Sequence, residues 1–368
     1  MINLDEIISK IINERRRFNV VALHDFFIDH FIHMEISIEE LMVEILNTAK
    51  RGGGNIFRNT QNFMRGGCAA NFASAIAKLG VNVKLITCAN SIGMEILKRD
   101  AIGVDLENVK LFDSQAVTTI IEGKYMGKQV NIMMSYPGML SEFGMEKLDE
   151  KNWEAILNSD YICLFTWNVN KHGTELVERV AEKVKENGRG KVYLDLGDPK
   201  YRIEDLKELM HKIEKRNLID ALSLNENEID IISKIILKDR YQIKNIKETI
   251  IKISEEIDFR LDVHTPEFSA TARNGKIVIA PCFKVNVLRT TGAGDAWNAG
   301  NVLCWGSKMD DHIRLLIANA VAAIYISKDK PEHPDIHELK DFLKQNLDMI
   351  LNYHNQTLKN SNIKHQKI

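Results

Sequence analysis

From about residue 160 onward, short apolar segments typical of buried strands alternate with segments that have the residue spacing of amphipathic helices. Strands that are repeatedly followed by helices predict a parallel sheet with right-handed crossover connections. The predicted strands are Tyr161–Trp167, Lys191–Leu196 and Ala221–Leu224, and the predicted helices are Gly173–Asn187, Ile203–Lys215 and Glu226–Leu237. The chain is therefore expected to fold as an α/β protein.

Composition is ordinary for a globular protein. Hydrophobic residues make up 45% and charged residues 27% of the 368 residues, so the core needs no disulfide or metal to hold it. A net charge of -2 predicts no general attraction to nucleic acid or to anionic membranes. The five cysteines show no CxxC spacing, and the chain has neither a run of 18 apolar residues nor a signal-peptide pattern. These features predict a cytoplasmic protein with reduced thiols and no membrane span.

The chain divides into a main domain and two terminal segments. Residues 1–17 carry apolar side chains at helical spacing and predict an N-terminal helix. Residues 346–368 form a polar C-terminal tail, which is expected to be disordered from about Asn355. The main domain therefore spans 18–345.

A β-hairpin is predicted between Thr118–Glu122 and Gln129–Met134. A hairpin inserted between strand–helix units is hard to bury in a sheet that has helices on both faces. We therefore expect a small separate β-lid, built from about residues 28–65 and 116–135.

The segment 290–295 (TTGAGD) precedes an Ala-rich stretch. Gly292 and Gly294 allow backbone torsions that other residues avoid, so successive N–H groups can point to one spot. A helix that begins here has unpaired N–H groups and a positive dipole end, which together bind a phosphate or another anion. Asp295 beside that anion is suited to take a proton from a hydroxyl that attacks phosphorus. The alternative is that Asp295 only caps the helix.

Other polar residues and glycines are also candidates for ligand binding. Asn225 and Glu228 follow a predicted strand and lie on one face of a helix start, where their oxygens suit a hydrated Mg²⁺. The alternative is that Asn225 is a simple N-cap. Asp29 follows the first predicted strand, where α/β sheets bind ligands, and is a candidate to accept hydrogen bonds from substrate hydroxyls.

The segment 65–71 (RGGCAAN) leads into a helix with a face of small residues. Gly66 and Gly67 let the backbone approach a ligand closely, and Asn71 can both donate to and accept from a sugar hydroxyl.

The order of these motifs resembles the ribokinase-like (pfkB) carbohydrate kinase family over about residues 18 to 340. The matching motifs are GG-x-x-x-N at Gly66, Gly67 and Asn71, Asn-x-x-Glu at Asn225 and Glu228, and Gly-Ala-Gly-Asp at 292–295. The resemblance implies a ribokinase-like three-layer sandwich with a mostly parallel central sheet and a small β-lid, through which two copies form a homodimer.

The resemblance also implies an activity, which is transfer of the γ-phosphoryl group of ATP to a primary hydroxyl of a sugar. Asp295 would be the base, and the N–H groups of Gly292, Ala293 and Gly294 would form the anion hole. The implied binding residues are Asp29, Gly66, Gly67 and Asn71 for the sugar, Asn225 and Glu228 for Mg²⁺, and Asn225 and Asn319 for the nucleotide.

Three positions depart from the family pattern. Arg289 stands where the family usually has an Asp that helps to hold a monovalent cation. We hypothesise that the Arg289 guanidinium replaces this ion, so that activity does not depend on potassium. Residues 89–93 keep only Gly93 of the usual Gly-x-Asp-x-x-Gly pattern, and Trp297 replaces the usual Phe.

Three other functions are considered. A nucleoside kinase of the same family would need an apolar pocket for the base, which Phe26, Phe27, Phe63 and Phe165 would supply unless they belong to the core. A catalytically weak sugar-binding sensor would explain the departures, but the intact Asp295, Asn225 and Glu228 argue against it. A nicotinamide-dependent enzyme is disfavoured because no Gly-x-Gly-x-x-Gly follows the first strand.

Overall fold

The computed structural model describes residues 3–238, 245–351 and 353. Its strands are β1 Asn19–Leu23, β2 Phe27–Met34, β3 Asn59–Gly66, β4 Asn82–Ala89, β5 Val109–Leu111, β6 Val117–Tyr125, β7 Lys128–Tyr136, β8 Tyr161–Leu164, β9 Lys191–Asp195, β10 Ala221–Asn225, β11 Arg260–His264, β12 Phe268–Arg273 and β13 Lys276–Pro281. Its helices are α1 Leu4–Glu14, α2 Ile38–Lys50, α3 Cys68–Lys78, α4 Ser91–Asp100, α5 Glu150–Leu157, α6 Gly173–Glu186, α7 Ile203–Lys215, α8 Glu226–Ile236, α9 Ile246–Glu256, α10 Ala293–Gly306, α11 Asp311–Ser327 and α12 Ile336–Gln345.

Nine strands form the large sheet, in the order β13-β12-β11-β10-β9-β8-β1-β4-β5. The pairs from β11 to β5 are parallel, and β12 and β13 extend the sheet by antiparallel pairing. The predicted parallel sheet is therefore confirmed. Because parallel strands end at the same edge, the sheet gathers the residues that follow β1, β9 and β10 at one edge.

Alternation along β1 shows how the layers are arranged. Val20 and Ala22 belong to one apolar cluster and Val21 and Leu23 to another, so the two clusters lie on opposite faces of the sheet. The first face is covered by α1, α3, α10, α11 and α12, and the second by α5 to α9. This is the predicted three-layer α/β arrangement.

A second sheet of four strands, in the order β3-β2-β6-β7, stands apart from the large one. β2 pairs antiparallel with β3 and parallel with β6, and the predicted hairpin is formed by β6 and β7. Helix α2 packs on this sheet through Ile38 and Leu41. Ser37 and Glu40 form a reciprocal capping box at the start of α2, as the S-x-x-E spacing predicts.

The turn of the hairpin lies at Met126 and Gly127, which both have positive φ, as two-residue turns between antiparallel strands require. Gly123 lies inside β6. A Cβ at Gly123 would lie 2.9 Å from Ile38 Cδ1, so the missing side chain lets α2 approach the sheet.

The structure describes part of what was predicted for the two ends of the chain. The N-terminal helix is present at Leu4–Glu14, and its Ile8 and Ile11 are buried in the main core. The predicted disordered tail from about Asn355 lies outside the described residues.

Candidate active site

Helix α10 begins at Ala293, and Gly292 is its N-cap with φ 81°. A Cβ at Gly292 would lie 2.7 Å from the Tyr325 hydroxyl, so this turn accepts only glycine beside Tyr325. The Ala293 N–H donates to Thr290 O at 3.1 Å, which closes the turn. Gly294 lies in the first helical turn, where N–H groups have no partner one turn earlier in the helix. The loop thus brings the positive end of α10 to the carboxyl edge of the large sheet.

Asp295 lies inside the first turn of α10 and is only 7% exposed. Its Oδ2 accepts a hydrogen bond of 2.9 Å from Asn71 Nδ2 on α3. Burial raises the pKa of Asp295 well above its usual value, and the Asn71 hydrogen bond works against this rise. Since Gly292 is the N-cap and the carboxylate bonds to another helix, the capping alternative does not describe Asp295.

Arg65 fixes the orientation of Asn71. Arg65 Nη1 donates to Asn71 Oδ1 at 2.7 Å, so the amide nitrogen of Asn71 is left to face Asp295. Arg65 on β3, Asn71 on α3 and Asp295 on α10 are thus joined by two consecutive hydrogen bonds. Sequence reasoning included Arg65 in the glycine motif but gave it no role.

Gly66 and Gly67 make room for two carboxylates. A Cβ at Gly66 would lie 2.1 Å from Asp29 Oδ1, and one at Gly67 would lie 2.9 Å from Asp25 Oδ2. The Asp25 carboxylate accepts from the N–H groups of Cys68 and Ala69 at 2.7 and 2.8 Å, so it caps α3 from the end of β1. This role of Asp25 was not predicted from the sequence. The two glycines thus leave space for the Asp29 and Asp25 carboxylates as well as for any ligand.

Asp29 lies on β2 opposite Met64 and Thr118. Burial raises its pKa to about 7, the Arg65 charge opposes this rise and the Asp25 charge adds to it. At neutral pH the Asp29 carboxyl is therefore present in both protonation states, and it can accept from or donate to a sugar hydroxyl.

A cleft of about 510 Å³ lies between the small sheet and the loops that flank α10 and α11. It brings Asp29 and Asn71 together, and Asp295 is one hydrogen bond behind Asn71. The lining residues are Asp29, Phe31, His33, Asn62, Met64, Arg65, Asn71, Glu122, Gln129, Val130, Asn131, Val287, Leu288, Arg289, Thr290, Thr291, Tyr325, Asp329, Lys330 and Pro331. The cleft leaves room for a small polar ligand near the buried Asp295 carboxyl group.

Asn225 and Glu228 lie where β10 ends and α8 begins, and neither lines this cleft. Asn225 Oδ1 accepts from the N–H groups of Asn227 and Glu228, and Glu228 accepts from the Asn225 backbone N–H, so the two form a capping box. The N-cap alternative is therefore present. Burial raises the pKa of Glu228 well above its usual value, and the nearby Asp195 charge adds to the rise.

Asp195 ends β9 beside β10 and was not assigned a role from the sequence. Its Oδ2 accepts from Asn298 Nδ2 at 2.8 Å, which ties the carboxyl edge of the sheet to α10. Its charge also raises the pKa of Asp295. No three His, Cys, Asp or Glu side chains among residues 3–238, 245–351 and 353 are grouped to hold a metal ion directly.

Asn319 on α11 has partners inside the protein at both ends of its amide. Its Oδ1 accepts from Trp297 Nε1 at 2.8 Å, and its Nδ2 donates to Pro281 O at 2.9 Å. This side chain joins α10, α11 and the end of β13. It does not line the cleft.

The aromatic candidates for a base pocket separate into two groups. Phe26, Phe27 and Phe165 are buried in the core. Phe63 is exposed on the small sheet and stacks on His30. These four residues therefore do not form one apolar pocket.

Arg289 and Tyr325 line one side of the cleft, and a buried histidine ring packs on Tyr325. Arg289 Nη2 donates to the Asp329 carbonyl oxygen, and the Arg289 Cζ atom lies 6.0 Å from the Tyr325 ring centre. Tyr325 stacks on the buried His333 with ring centres 4.6 Å apart. Neither ring was predicted, because nothing in the local sequence around them resembles a motif.

None of the helices within the described residues is long and apolar enough to cross a bilayer. All five cysteines are free, and burial raises the pKa of the Cys163 thiol well above its usual value.

A sequence model of the pfkB family carbohydrate kinases matches residues 36–338 of the chain. The chain is 26% identical over 290 residues to an ATP-dependent ribose-1-phosphate kinase of Halopiger xanaduensis, covering 77% of this chain and 88% of that protein. Solved structures also share its fold. The ribokinase of Arabidopsis thaliana complexed with ribose and ATP matches with a TM-score of 0.70 and 20% identity, and a nucleoside kinase of Methanocaldococcus jannaschii with 0.64 and 19%. Each match covers 89% of this chain and 98% of the other.

Proposed function

The chain belongs to the pfkB family of carbohydrate kinases, whose members are ATP-dependent phosphotransferases, and we propose that it phosphorylates a primary hydroxyl of a sugar. The observation that carries the proposal is the buried Asp295 carboxylate at the start of α10, held by Asn71 beside a cleft that contains Asp29. It combines a base, an anion-binding helix end and a hydroxyl-binding carboxyl in one place.

The proposed chemistry is in-line transfer of the γ-phosphoryl group. Asp29 and Asn71 orient the acceptor so that its hydroxyl oxygen faces the γ-phosphorus, and Asp295 takes the hydroxyl proton. Negative charge on the transferring group lies against the N–H groups at Gly292, Ala293 and Gly294. In the structure the Ala293 N–H closes the turn with Thr290, so this loop adjusts if all three groups donate to the phosphoryl oxygens.

The raised pKa of Asp295 has a consequence for this role. A carboxyl group accepts a proton only when it is ionised, and burial favours its neutral form. The Asn71 hydrogen bond favours the ionised form, so Asn71 both orients and activates the base. Activity should therefore increase as the pH rises through the pKa of Asp295.

The donor set at Asn225 and Glu228 fits a hydrated Mg²⁺. Glu228 is buried near the Asp195 and Asp198 charges, which raise its pKa, and a cation would relieve this repulsion. Mg²⁺ commonly keeps several waters and binds through one or two carboxylates, so a cage of three acidic side chains is not required. When bound, the ion would neutralise charge on the nucleotide phosphates. Glu228 would hold it through water, and Asn225 would orient Glu228.

The second candidate is a nucleoside acceptor. The likeness to a nucleoside kinase supports the shared fold, but the core positions of Phe26, Phe27 and Phe165 leave no base pocket among the predicted residues. The named relative that acts on ribose-1-phosphate favours a sugar or sugar phosphate. We therefore place the sugar acceptor first.

We also propose that the protein is a cytoplasmic homodimer that pairs through the small sheet. Strand β7 exposes Ile132, Met133, Met134 and Tyr136, which are 44% to 63% exposed. Such an apolar strip is unusual on a free surface and suits a second copy. Light scattering coupled to gel filtration should give twice the mass of the chain, and a Met134→Glu variant should shift it toward the monomer.

The main test is ADP release by the Asp295→Asn variant with a panel of sugars, sugar phosphates and nucleosides. We expect wild type to release ADP with a subset of them. The kcat of the variant should be about 10²–10⁴-fold lower, because general-base assistance is removed. Circular dichroism should show that the variant is folded. Near-normal turnover in a folded variant would exclude Asp295 as the base.

A further inference from the structure

The side chain of Tyr325 brings a hydroxyl group to the turn that begins α10. The position that a Cβ would take at Gly292 lies 2.7 Å from the Tyr325 hydroxyl oxygen and 3.2 Å from Cζ of the same ring. Gly292 is the N-cap of α10 and the first of the three residues whose N–H groups we propose as the anion hole. A side-chain donor therefore lies next to these backbone donors.

This hydroxyl has no hydrogen-bond partner within residues 3–238, 245–351 and 353, although Tyr325 is only 5% exposed. The contacts of the side chain in this part of the chain are made by its ring. A largely buried tyrosine hydroxyl usually finds a partner. Because Tyr325 lines the cleft, a ligand bound there can supply that partner.

Tyr193 shows how the same fold treats a tyrosine that has no ligand to meet. Its hydroxyl lies in the core, donates to Asn298 Oδ1 at 2.6 Å and accepts from Asn301 Nδ2 at 3.1 Å. Both hydrogen-bonding functions of Tyr193 are thus satisfied inside the protein. The free donor of Tyr325 is therefore not a general property of buried tyrosines in this chain.

Packing holds the Tyr325 ring in place without help from its hydroxyl. The ring stacks on His333 with the ring centres 4.6 Å apart and an angle of 17° between the planes. His333 is itself buried, and its Nε2 lies 3.5 Å from Arg65 Nη2. The hydroxyl is thus fixed in direction before a ligand binds, which lowers the cost of using it as a donor.

The charges around Tyr325 favour the protonated hydroxyl. Burial raises the pKa of Tyr325, the Arg65 charge opposes this rise and the Asp295 charge adds to it. The Asp29 charge also adds to the rise. The hydroxyl is therefore a neutral donor at neutral pH, on the side of the cleft that holds the proposed base and the proposed acceptor-binding carboxyl.

We propose that the Tyr325 hydroxyl donates a hydrogen bond to an oxygen of the transferring phosphoryl group, beside the backbone donors of the anion hole. This inference rests on the proposed kinase function. A donor that is fixed in advance stabilises the negative charge of the phosphoryl group in the transition state. The proton stays on Tyr325 throughout, and no bond to its oxygen forms or breaks.

The first test is the turnover of Tyr325→Phe, which removes the hydroxyl and keeps the ring that stacks on His333. Its kcat should be about 10²–10³-fold lower, as for the loss of one oxyanion donor, and the KM values for ATP and acceptor should change little. The melting temperature should equal that of wild type. Tyr161→Phe is the matched control, because Tyr161 begins β8 at the opposite edge of the sheet and its ring packs on Trp305 at 4.9 Å. Its kcat should be that of wild type.

The second test needs no acceptor. Calorimetry in the presence of Mg²⁺ compares the binding of ADP with that of ADP plus aluminium fluoride, which mimics a transferring phosphoryl group. Wild type should bind ADP with aluminium fluoride more tightly than ADP alone. Tyr325→Phe should lose about 10–100-fold of that preference, since a hydrogen bond to a charged group is removed.

Two results would overturn the inference. Normal kcat together with an unchanged preference for aluminium fluoride in Tyr325→Phe would show that the hydroxyl does not contact the phosphoryl group. A higher KM for the acceptor with unchanged kcat would assign the hydroxyl to the acceptor instead. If no acceptor gives ADP with wild type, the kinase proposal fails, and the calorimetric comparison alone decides whether Tyr325 binds the phosphoryl group.

Discussion

Asp262 and Asp295 are both buried, and their surroundings are opposite. Although burial raises the pKa of Asp262, Arg260 and Arg314 hold it below its usual value, and Thr271 and Asn301 add hydrogen bonds. Asp295 has one amide partner, Asn71, and burial raises its pKa well above its usual value. Two arginines thus favour the ionised form of the first carboxyl group, and burial favours the neutral form of the second.

A buried hydrogen-bond network links Asp262 to the helix that carries Asp295. Asn301 bonds to Asp262 and to the Tyr193 hydroxyl, and that hydroxyl donates to Asn298, which lies one turn beyond Asp295 on α10. The ionic cluster therefore anchors the helix whose first turn carries Asp295. The comparison shows that the fold pairs one buried carboxylate with two arginines and leaves the other, which we propose as the base, with an amide partner instead.

The largest effect on stability should come from removing the paired carboxylate. Asp262→Asn leaves two buried guanidinium groups without a counter-charge and should lower the free energy of unfolding by about 3–5 kcal/mol in urea denaturation. Asp311→Asn is the matched control, because Asp311 also pairs with Arg314 at 2.8 Å but is half exposed. It should cost less than about 1 kcal/mol. Equal losses in the two variants would show that burial does not distinguish these pairs.

The next effect tests how Asp295 is tuned. Asn71→Ala removes the hydrogen bond that lowers the pKa of Asp295, so the pKa should rise and the alkaline increase of kcat should move to higher pH. At neutral pH kcat should fall by about tenfold, as expected for one lost hydrogen bond to a charged group. Asn187→Ala, which removes an exposed amide that contacts Leu157 O, is the control. If the pH dependence of kcat in Asn71→Ala coincided with that of wild type, Asn71 would not control the pKa of Asp295.

A smaller effect on stability is expected for Asp295→Asn, which should make the protein more stable, whereas Asp262→Asn should make it less stable. Below the pKa of the unfolded chain, the carboxyl is neutral in both states and costs nothing. Above it, the unfolded chain ionises while the folded protein resists ionisation, so wild type loses stability as the pH rises. Asp295→Asn is neutral at every pH, so its melting temperature should exceed that of wild type by an amount that grows from pH 5 to pH 8. A melting temperature that falls in the variant at pH 8 would show that the ionised carboxylate is stabilised by partners.

The smallest effect should be that of potassium. Arg289 occupies the position at which the family usually has an Asp, and its guanidinium donates to the Asp329 carbonyl oxygen. If it replaces a monovalent cation, the rate should be the same in potassium chloride and in choline chloride at equal ionic strength. A strong requirement for potassium would remove this hypothesis.

The parts of the site that depend on local sequence could be predicted. The Gly-Ala-Gly-Asp turn, the helix that follows it and the capping box at Ser37 each involve residues within four positions of one another. The strand–helix alternation predicted the parallel sheet for the same reason, since each unit shows its own periodicity.

The parts that depend on distant contacts could not be predicted. Asn71 and Asp295 are 224 residues apart, Asp25 caps a helix 43 residues later, and Arg314 pairs with Asp262 across 52 positions. One sequence carries no signal for such pairs. A charged residue such as Asp262, which lies between Leu261 and Val263 in a strand, is a hint that a buried partner exists, but it does not say which residue that partner is.

The most direct test of the account is the pH dependence of kcat for wild type and Asp295→Asn, measured with saturating ATP and the best acceptor. The account predicts that kcat of wild type rises with pH as the buried carboxyl ionises, and that the small residual kcat of the variant is flat over the same range. The same rising limb in both proteins would contradict the assignment of Asp295 as the proton acceptor.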